Sequence, residues 1–277
     1  MHWQTTRFRI DLTQPRVMGI VNTTPDSFSD GAGTLDTRQA LARCETLLRE
    51  GADLLDLGAE SSRPGALPVT ADEELRRLLP VLASALTLGC PVSVDTTKAE
   101  VMRVVLGLGA DIVNDIQALR GAGALQAIAE HRACGVCLMH MRGQPATMQV
   151  QPPEGDDPIE RVLRFLRGRV DAVVGAGVDA ERVVVDPGIG FGKSVSTNLE
   201  LLRRQRELLA LGRPLLVGWS RKSTLGAVTG RAVDERQSAS VAAALAAIVA
   251  GASIVRVHDV GPTIDAIRVW KAAGLLG

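Results

Sequence analysis

VSVDTTKAEVMRVVLGLGADIVND, Val92 to Asp115, contains the unit from which the whole chain is built. A short run rich in β-branched residues, Val92 to Asp95, breaks off in a carboxylate. Apolar residues at helical spacing follow over 97–108, Gly109 stops them, and a second run, Ile112 to Asp115, again ends in polar residues. Near-continuous apolar runs of this length suit strands buried on both faces, as in parallel sheets, and a helix between them supplies the crossover that parallel strands need.

The same unit recurs in both directions. Further strand-like runs lie at Val17 to Asn22, Leu54 to Gly58, Val136 to His140, Val183 to Asp186, Leu215 to Ser220 and Ile254 to Asp259. Helical spacing occupies 37–50, 71–88, 121–132, 158–175, 196–211, 235–250 and 262–274. Gly51, Gly89, Gly109, Gly177, Gly212 and Gly251 each precede a new apolar run, where a helix C-cap is expected. Strand then helix, about eight times, predicts the α/β class and a (β/α)8 TIM barrel, with the active site at the C-terminal strand ends. An open doubly wound sheet accommodates the same alternation, since alternation alone does not prove closure. Met1 to Ile10 alternates polar and apolar residues and reads as a short strand or hairpin plugging the barrel bottom.

Length and composition set bounds. The 277 residues fit one barrel and predict a single domain over 1–277. Hydrophobic residues make up 46% of the chain and charged ones 22%, which supplies a large core and excludes a mostly disordered protein. Lys plus Arg and Asp plus Glu stand equal at 31 each, so nothing in the overall charge points to nucleic acid or an acidic membrane surface. The N-terminus lacks the basic start and apolar core of a signal peptide, and the most membrane-like stretch, Ala239 to Val255, is Ala-rich and interrupted by Ser240, Gly251 and Ser253. A soluble, cytoplasmic protein with no membrane partner is expected. Of the four cysteines only Cys134 and Cys137 have metal-like spacing, and without a second pair they read as core residues.

Three connections exceed what a barrel needs: Thr23 to Asp36, Ala59 to Ala71 and Met141 to Asp157. Long loops inside a compact domain are characteristically functional, and the first two, after strands one and two, are placed to close together over a ligand. The third ends in Asp156, Asp157 and Pro158, an acidic cap and a first-turn proline.

Strand ends and the loops beyond them gather two sets of polar groups at one mouth. Asp95, Asn114 and Asp186 are acceptors that suit the NH groups of a flat, nitrogen-rich heterocycle, with Lys222 as donor to its carbonyl oxygen. Arg63, Arg256 and His258, with the amide of Asn22, form a cationic, donor-rich counterpart suited to phosphate or pyrophosphate. Asp56 and Asp115 are assigned to structure, as caps or acceptors within the barrel, and His140 to packing. Gly188, Gly190 and Gly192 before Lys193 miss the phosphate-loop pattern, which needs glycine where Pro187 stands; they read as a turn that lets backbone approach a flat ligand. Ser220 and Ser223 sit in no nucleophile elbow and show no partnered base.

With these residues assembled, the chain resembles the dihydropteroate synthase family from about Arg16 to about Ala273. The resemblance is carried by MGIVNTTPDSFSDG (Met18 to Gly31), ESSRPG (Glu60 to Gly65), SVDTTK (Ser93 to Lys98), NDI (Asn114 to Ile116), MHMRG (Met139 to Gly143), DPGIGFGK (Asp186 to Lys193), SRKS (Ser220 to Ser223) and RVHDV (Arg256 to Val260). It implies condensation of 6-hydroxymethyl-7,8-dihydropterin pyrophosphate with p-aminobenzoate in folate biosynthesis, with Mg2+, in a homodimer that is a sulfonamide target. It further implies that Asp95, Asn114, Asp186 and Lys222 grip the pterin edge, with Met139 and Arg256 against its faces. Asn22, Arg63, Arg256 and His258 would hold pyrophosphate, Asn22 also touching Mg2+; Phe28, Pro64, Lys222 and Ser223 would frame the aminobenzoate, with Ser62 beside it. Asp30 would face the carbon that turns positive when pyrophosphate leaves.

Thr23, Ser62, Gln117 and Trp219 depart from the family's usual residues. None removes a charge or a hydrogen-bonding group, but Ser62 and Trp219 are expected to alter the ring pocket. Two alternatives accompany the reading: a methyltetrahydrofolate-dependent methyltransferase, which shares the barrel but has no use for Arg63 and the two loops, and a non-catalytic pterin-binding paralogue, which should have lost Phe28, Asp30 or Arg63.

Overall fold

The computed structural model describes residues 1–23, 34–61, 68–143 and 157–276, with only the backbone of 34–36. Phe28, Asp30, Ser62, Arg63 and Pro64 lie outside the described residues. A hairpin of β1 (His2–Gln4) and β2 (Arg9–Asp11) leads into eight parallel strands: β3 (Arg16–Asn22), β4 (Leu54–Gly58), β5 (Val92–Asp95), β6 (Ile112–Asp115), β7 (Gly135–Met139), β8 (Val183–Asp186), β9 (Leu216–Val217) and β10 (Ile254–Val257). Each of β3 to β7 pairs with the next in sequence, and β10 lies between β9 and β3, with Val255 opposite Val17. The remaining seam, β8 to β9, is joined by a parallel bridge between Val185 and Leu215, and the Val185 N–H donates to the Pro214 carbonyl at 3.0 Å. The sheet therefore closes on itself, which removes the open-sheet alternative.

Period-2 alternation splits every strand into an outward and an inward set. Outward residues such as Val17, Leu55, Val94, Val113, Leu138 and Val185 pack on helix residues including Leu47, Leu82, Met102, Ile128 and Leu166. Inward residues are apolar at the bottom: Met18, Leu54, Ile112, Cys137, Val184, Leu216 and Ile254 meet Trp3, Ile10 and Leu12 of the hairpin segment. Trp3 is wholly buried and its indole N–H donates to the Arg182 carbonyl at 2.9 Å. A Cβ on Gly135 would stand 2.9 Å from that indole nitrogen, so the plug needs glycine there. One and two steps further up, the same strands turn polar.

Helices alternate with the strands: α1 (Thr34–Arg49), α2 (Ala71–Ala85), α3 (Ala99–Gly107), α4 (Ala124–Glu130), α5 (Pro158–Gly175), α6 (Val195–Arg203), α7 (Ser223–Thr229), α8 (Gln237–Val249) and α9 (Val260–Ala272). The six glycines expected to end helices all have positive φ, between 62° and 102°. Asp157 caps α5 by accepting from the Ile159 N–H at 2.9 Å, with Pro158 in the first turn. Two segments differ from expectation. The helix foreseen over 196–211 is α6 followed by a tight 3-10 segment, Gln205–Leu211. The short helix α7 is an element the sequence analysis does not include; the bare Cα of its Gly226 admits the Arg236 guanidinium, which a Cβ would meet at 2.3 Å.

Candidate active site

The inward positions at the strand tops are Asn22, Gly58, Asp95, Asn114, Met139, Asp186 and Arg256, with Lys222 and His258 just beyond β9 and β10. Period-2 alternation puts the strand residues on one mouth because each shares the inward phase of its strand, above the apolar layer at the bottom. Ser223 begins α7 next to Lys222 and is exposed at the rim.

Asp56, assigned to structure from the sequence, ties two of the mouth residues together. Its Oδ2 accepts from Arg256 Nε at 2.5 Å and from Asn114 Nδ2 at 3.2 Å, while Arg256 also donates to Asp95 Oδ2 at 3.0 Å. Because the Asn114 amide nitrogen is committed to Asp56, its carbonyl oxygen is the group left to accept from a ligand. Asp56 Oδ1 and Ser93 Oγ, neighbours across β4 and β5, are buried and make no hydrogen bond among the described residues.

Asp186 Oδ1 accepts the Gly188 N–H at 2.7 Å. Lys222 Nζ lies 4.1 Å from the centre of the Phe191 ring, and its stem passes so close to Gly190 that a Cβ there would meet Cδ at 3.0 Å. Met139, Phe191, Ile116 and Met141 form a buried apolar wall beside these polar groups. An apolar wall with acceptors and one ammonium along its edge is the environment a flat, nitrogen-rich ring requires.

Burial dominates the electrostatics. It pushes the Asp95 carboxyl up to about 7 against the pull of Arg256, and Asp186 up to about 6 against its bond from Gly188. Burial, reinforced by Arg256, draws Lys222 down to about 8. These groups sit near the point of losing their charge, so a ligand with complementary N–H and C=O groups stabilises the ionised forms as it binds.

His258 is held by its neighbours. Ser220 Oγ accepts its backbone N–H at 3.1 Å and lies 3.0 Å from its Nδ1, and Arg43 donates to its carbonyl. Arg221, in the left-handed region at φ 58°, pairs with Asp259 at 2.7 Å and donates its backbone N–H to the Ser240 hydroxyl oxygen at 2.9 Å.

The glycine turn works differently from the expectation. A Cβ on Gly188 would stand 2.0 Å from the His140 carbonyl oxygen and one on Gly192 2.4 Å from that of Arg142, so the close approach is to protein backbone. Lys193, buried in the turn, donates to the carbonyls of His140, Gly188 and Phe191 at 3.1, 2.8 and 3.1 Å. The expectation for Trp219 is corrected as well: the indole is 2% exposed and packs in the outward layer between barrel and helices, one step out of phase with inward Gly218 and Ser220.

Asp115 lies off the mouth, its carboxylate accepting the Gln117 and Leu119 N–H groups at 2.7 and 2.8 Å. His140 packs edge-on against Phe165, with ring centres 5.0 Å apart. All four cysteines are buried and free, and burial pushes the Cys44 thiol up to about 12. At the root of the second loop, Glu60 accepts the Val69 N–H at 3.3 Å, and Lys98 bridges Glu60 to buried Glu74. The loop residues themselves, Ser62, Arg63 and Pro64, and Phe28 and Asp30 of the first loop, lie outside the described residues. Asp56 acts as the acceptor within the barrel that the sequence suggested, while the Phe191 wall and the Ser220 contact to His258 carry no signal in the sequence.

Comparison with known proteins agrees with this geometry. The pterin binding enzyme family model matches residues 18–258. The dihydropteroate synthase of Neisseria meningitidis serogroup B is 49% identical over 279 residues, covering 99% of this chain and 98% of that protein. The structure of Xanthomonas albilineans dihydropteroate synthase with 4-aminobenzoic acid superposes with a TM-score of 0.93 at 46% identity, over 100% of both chains. That of the Burkholderia cenocepacia enzyme complexed with 7,8-dihydropteroate gives 0.90 at 47% identity, over 99% of this chain and 96% of that one. Closed barrel, polar mouth and full-length similarity together establish that the chain belongs to the dihydropteroate synthase family of pterin-binding enzymes.

Proposed function

We propose that this mouth joins 6-hydroxymethyl-7,8-dihydropterin pyrophosphate to p-aminobenzoate by breaking the C–O bond first and adding the amine second. The observation that carries the reading is the edge of Asp95, Asn114, Asp186 and Lys222, with Asn114 and Asp186 buried, against the Met139 and Phe191 wall. The B. cenocepacia relative, complexed with 7,8-dihydropteroate, and the X. albilineans relative, with 4-aminobenzoic acid, support the same product and substrate here.

In this reading Asp95, Asn114 and Asp186 accept from the pterin N–H groups, Lys222 donates to its carbonyl, and Met139 and Arg256 flank the ring. The electron-rich pterin spreads the positive charge left on the methylene carbon as pyrophosphate departs, so no enzyme nucleophile is needed. Asn22, Arg63, Arg256 and His258 stabilise the leaving group, Asp30 faces the cation, and loop closure excludes water. Arg256 is held by Asp56 and Asp95 through Nε and one terminal nitrogen, which leaves N–H donors on the guanidinium for an anion. Phe28, Ser62, Pro64, Lys222 and Ser223 place the arylamine; a sulfonamide, presenting the same arylamine, would compete there.

Asn22 fits a Mg2+ role: its amide is a hard oxygen donor at the mouth with no side-chain hydrogen bond to a described residue, and Mg2+ characteristically takes few protein ligands beside phosphate and water. Mg2+, when bound, would neutralise charge on the pyrophosphate. Among the described residues no group of three or more His, Cys, Asp or Glu is placed to hold a metal unaided by substrate. The reading includes one domain over residues 1–277, a cytoplasmic location and a homodimer. No described helix is long and apolar enough to cross a membrane, and Val228 and Val233, 59% and 53% exposed, supply an apolar surface beside α8.

Positional isotope exchange tests the order of steps. With 18O in the bridging position of the pyrophosphate ester, Mg2+ and no p-aminobenzoate, recovered substrate should carry label in non-bridging positions. Recovered substrate with the label held in the bridge, from enzyme that forms product once p-aminobenzoate is added, would overturn bond breaking before amine attack.

A further inference from the structure

Ser220, dismissed as a nucleophile, has a different use. Its side chain points inward above Gly218, is 6% exposed, and among the described residues its Oγ meets only the His258 backbone N–H at 3.1 Å and the His258 Nδ1 at 3.0 Å. A hydroxyl has one proton and two lone pairs. The backbone N–H must be the donor in the first contact, so it occupies one lone pair and leaves the hydroxyl its proton and a second lone pair; among the described residues that proton has no acceptor other than the ring. Nδ1 is the acceptor within reach, and an imidazole that accepts at Nδ1 carries its proton on Nε2.

The surroundings keep that ring uncharged. Burial comes first, and Arg256, Arg221 and Lys222 add to it, with Asp259 alone pulling the other way; together they bring His258 down to about 3. Asp259 is already paired with Arg221, and Arg43 fixes the His258 carbonyl, so the backbone on both sides of the ring is anchored.

We infer that Ser220 is a positioning residue that locks His258 as the neutral Nε2–H tautomer, so that the ring offers the departing pyrophosphate an N–H donor. This rests on the proposed leaving-group role of His258 and changes its character. The ring supplies an oriented dipole where charge develops, while the permanent charge comes from arginine. The arrangement has the Ser and His of a nucleophilic pair with the roles reversed: the hydroxyl serves the imidazole.

The test is 15N NMR of the full chain labelled at histidine, near pH 7.5. The chain has four histidines, and His258→Gln assigns the signals that vanish. In the free protein His258 should show a pyridine-like Nδ1 and a pyrrole-like Nε2. Ser220→Ala should mix the tautomers and lower kcat about tenfold, the scale of one misdirected hydrogen bond, with the KM for p-aminobenzoate within about twofold; Ser220→Thr, which keeps the hydroxyl, should restore both. A pyrrole-like Nδ1 in the unsubstituted protein overturns the inference without any variant, as does Ser220→Ala with tautomer and kcat unchanged. The expected tautomer with His258→Ala, which has no side-chain donor, turning over at the full rate would instead remove His258 from the leaving-group site.

Discussion

The two ends of the same eight strands are made differently. At the bottom, inward Leu54, Ile112 and Val184 close on Trp3 with glycine at 135 to make room, and the Trp3 indole N–H is bonded to Arg182. At the top, two steps along, Asp56, Asp95, Asp186, Lys222 and Arg256 share a small space, with Asp56 Oδ1 and Ser93 Oγ unbonded among the described residues. Nearby Arg221 holds a backbone conformation that a side chain disfavours. The bottom contributes stability; the top carries charged and strained groups that a ligand can satisfy. A barrel can keep its mouth so poorly compensated because its other end is closed and apolar.

The largest expected effect breaks the bottom. Trp3→Ala should cost about 3–5 kcal/mol of stability, as expected for deleting a wholly buried indole, while folded protein keeps its KM and kcat. Denaturant unfolding beside steady-state kinetics reads both; loss of turnover in folded protein would place the hairpin in the catalytic machinery.

The opposite substitution is made at the top. Asp186→Ala should weaken binding of a pterin by about 2–3 kcal/mol, the worth of charged hydrogen bonds, with little loss of stability because burial disfavours that carboxylate in the empty site. Calorimetric affinities that match the unsubstituted protein would remove Asp186 from the pterin edge.

A subtler difference lies in protons. With Asp95 at about 7 and Asp186 at about 6, both are partly protonated at pH 6.5 before a ligand binds. Ligand N–H groups favour the ionised forms, so binding must drive protons off rather than take them up. Titration of 6-hydroxymethylpterin in buffers of different ionisation enthalpy should show proton release at pH 6.5 that shrinks toward pH 8 and with Asp95→Asn. Proton uptake at pH 6.5 would contradict the assignment.

The smallest effect separates outward from inward residues of one strand end. Trp219→Phe should cost roughly 1 kcal/mol of stability through looser packing and leave sulfonamide inhibition unchanged, since the indole lies in the outer layer. A shifted inhibition constant would show that it reaches the ring pocket.

Much of this was legible in the sequence because β-branched runs ending in Asp, Asn or His mark both the strand and the end that faces the mouth. Asp95, Asn114 and Asp186 are the last or next-to-last residues of their strands, so position alone nominated them. Asp56 was harder. It sits mid-strand in LLDLG, one inward step below the mouth, and its importance comes from Arg256 and Asn114, which are distant in sequence. Trp219 faces out because Leu216, Gly218 and Ser220 share the inward phase. The partner of Ser220 is the backbone and ring of a residue 38 positions away, which no local motif marks.

The central claim is that the polar mouth performs the synthase reaction. Its most direct test is to incubate the purified chain with 6-hydroxymethyl-7,8-dihydropterin pyrophosphate and Mg2+, with and without p-aminobenzoate, measuring pyrophosphate and 7,8-dihydropteroate together. The account predicts one pyrophosphate released per dihydropteroate formed, with product absent when p-aminobenzoate is withheld. Tight pterin binding with neither product nor release would contradict it and leave a pterin-binding protein without the synthase activity.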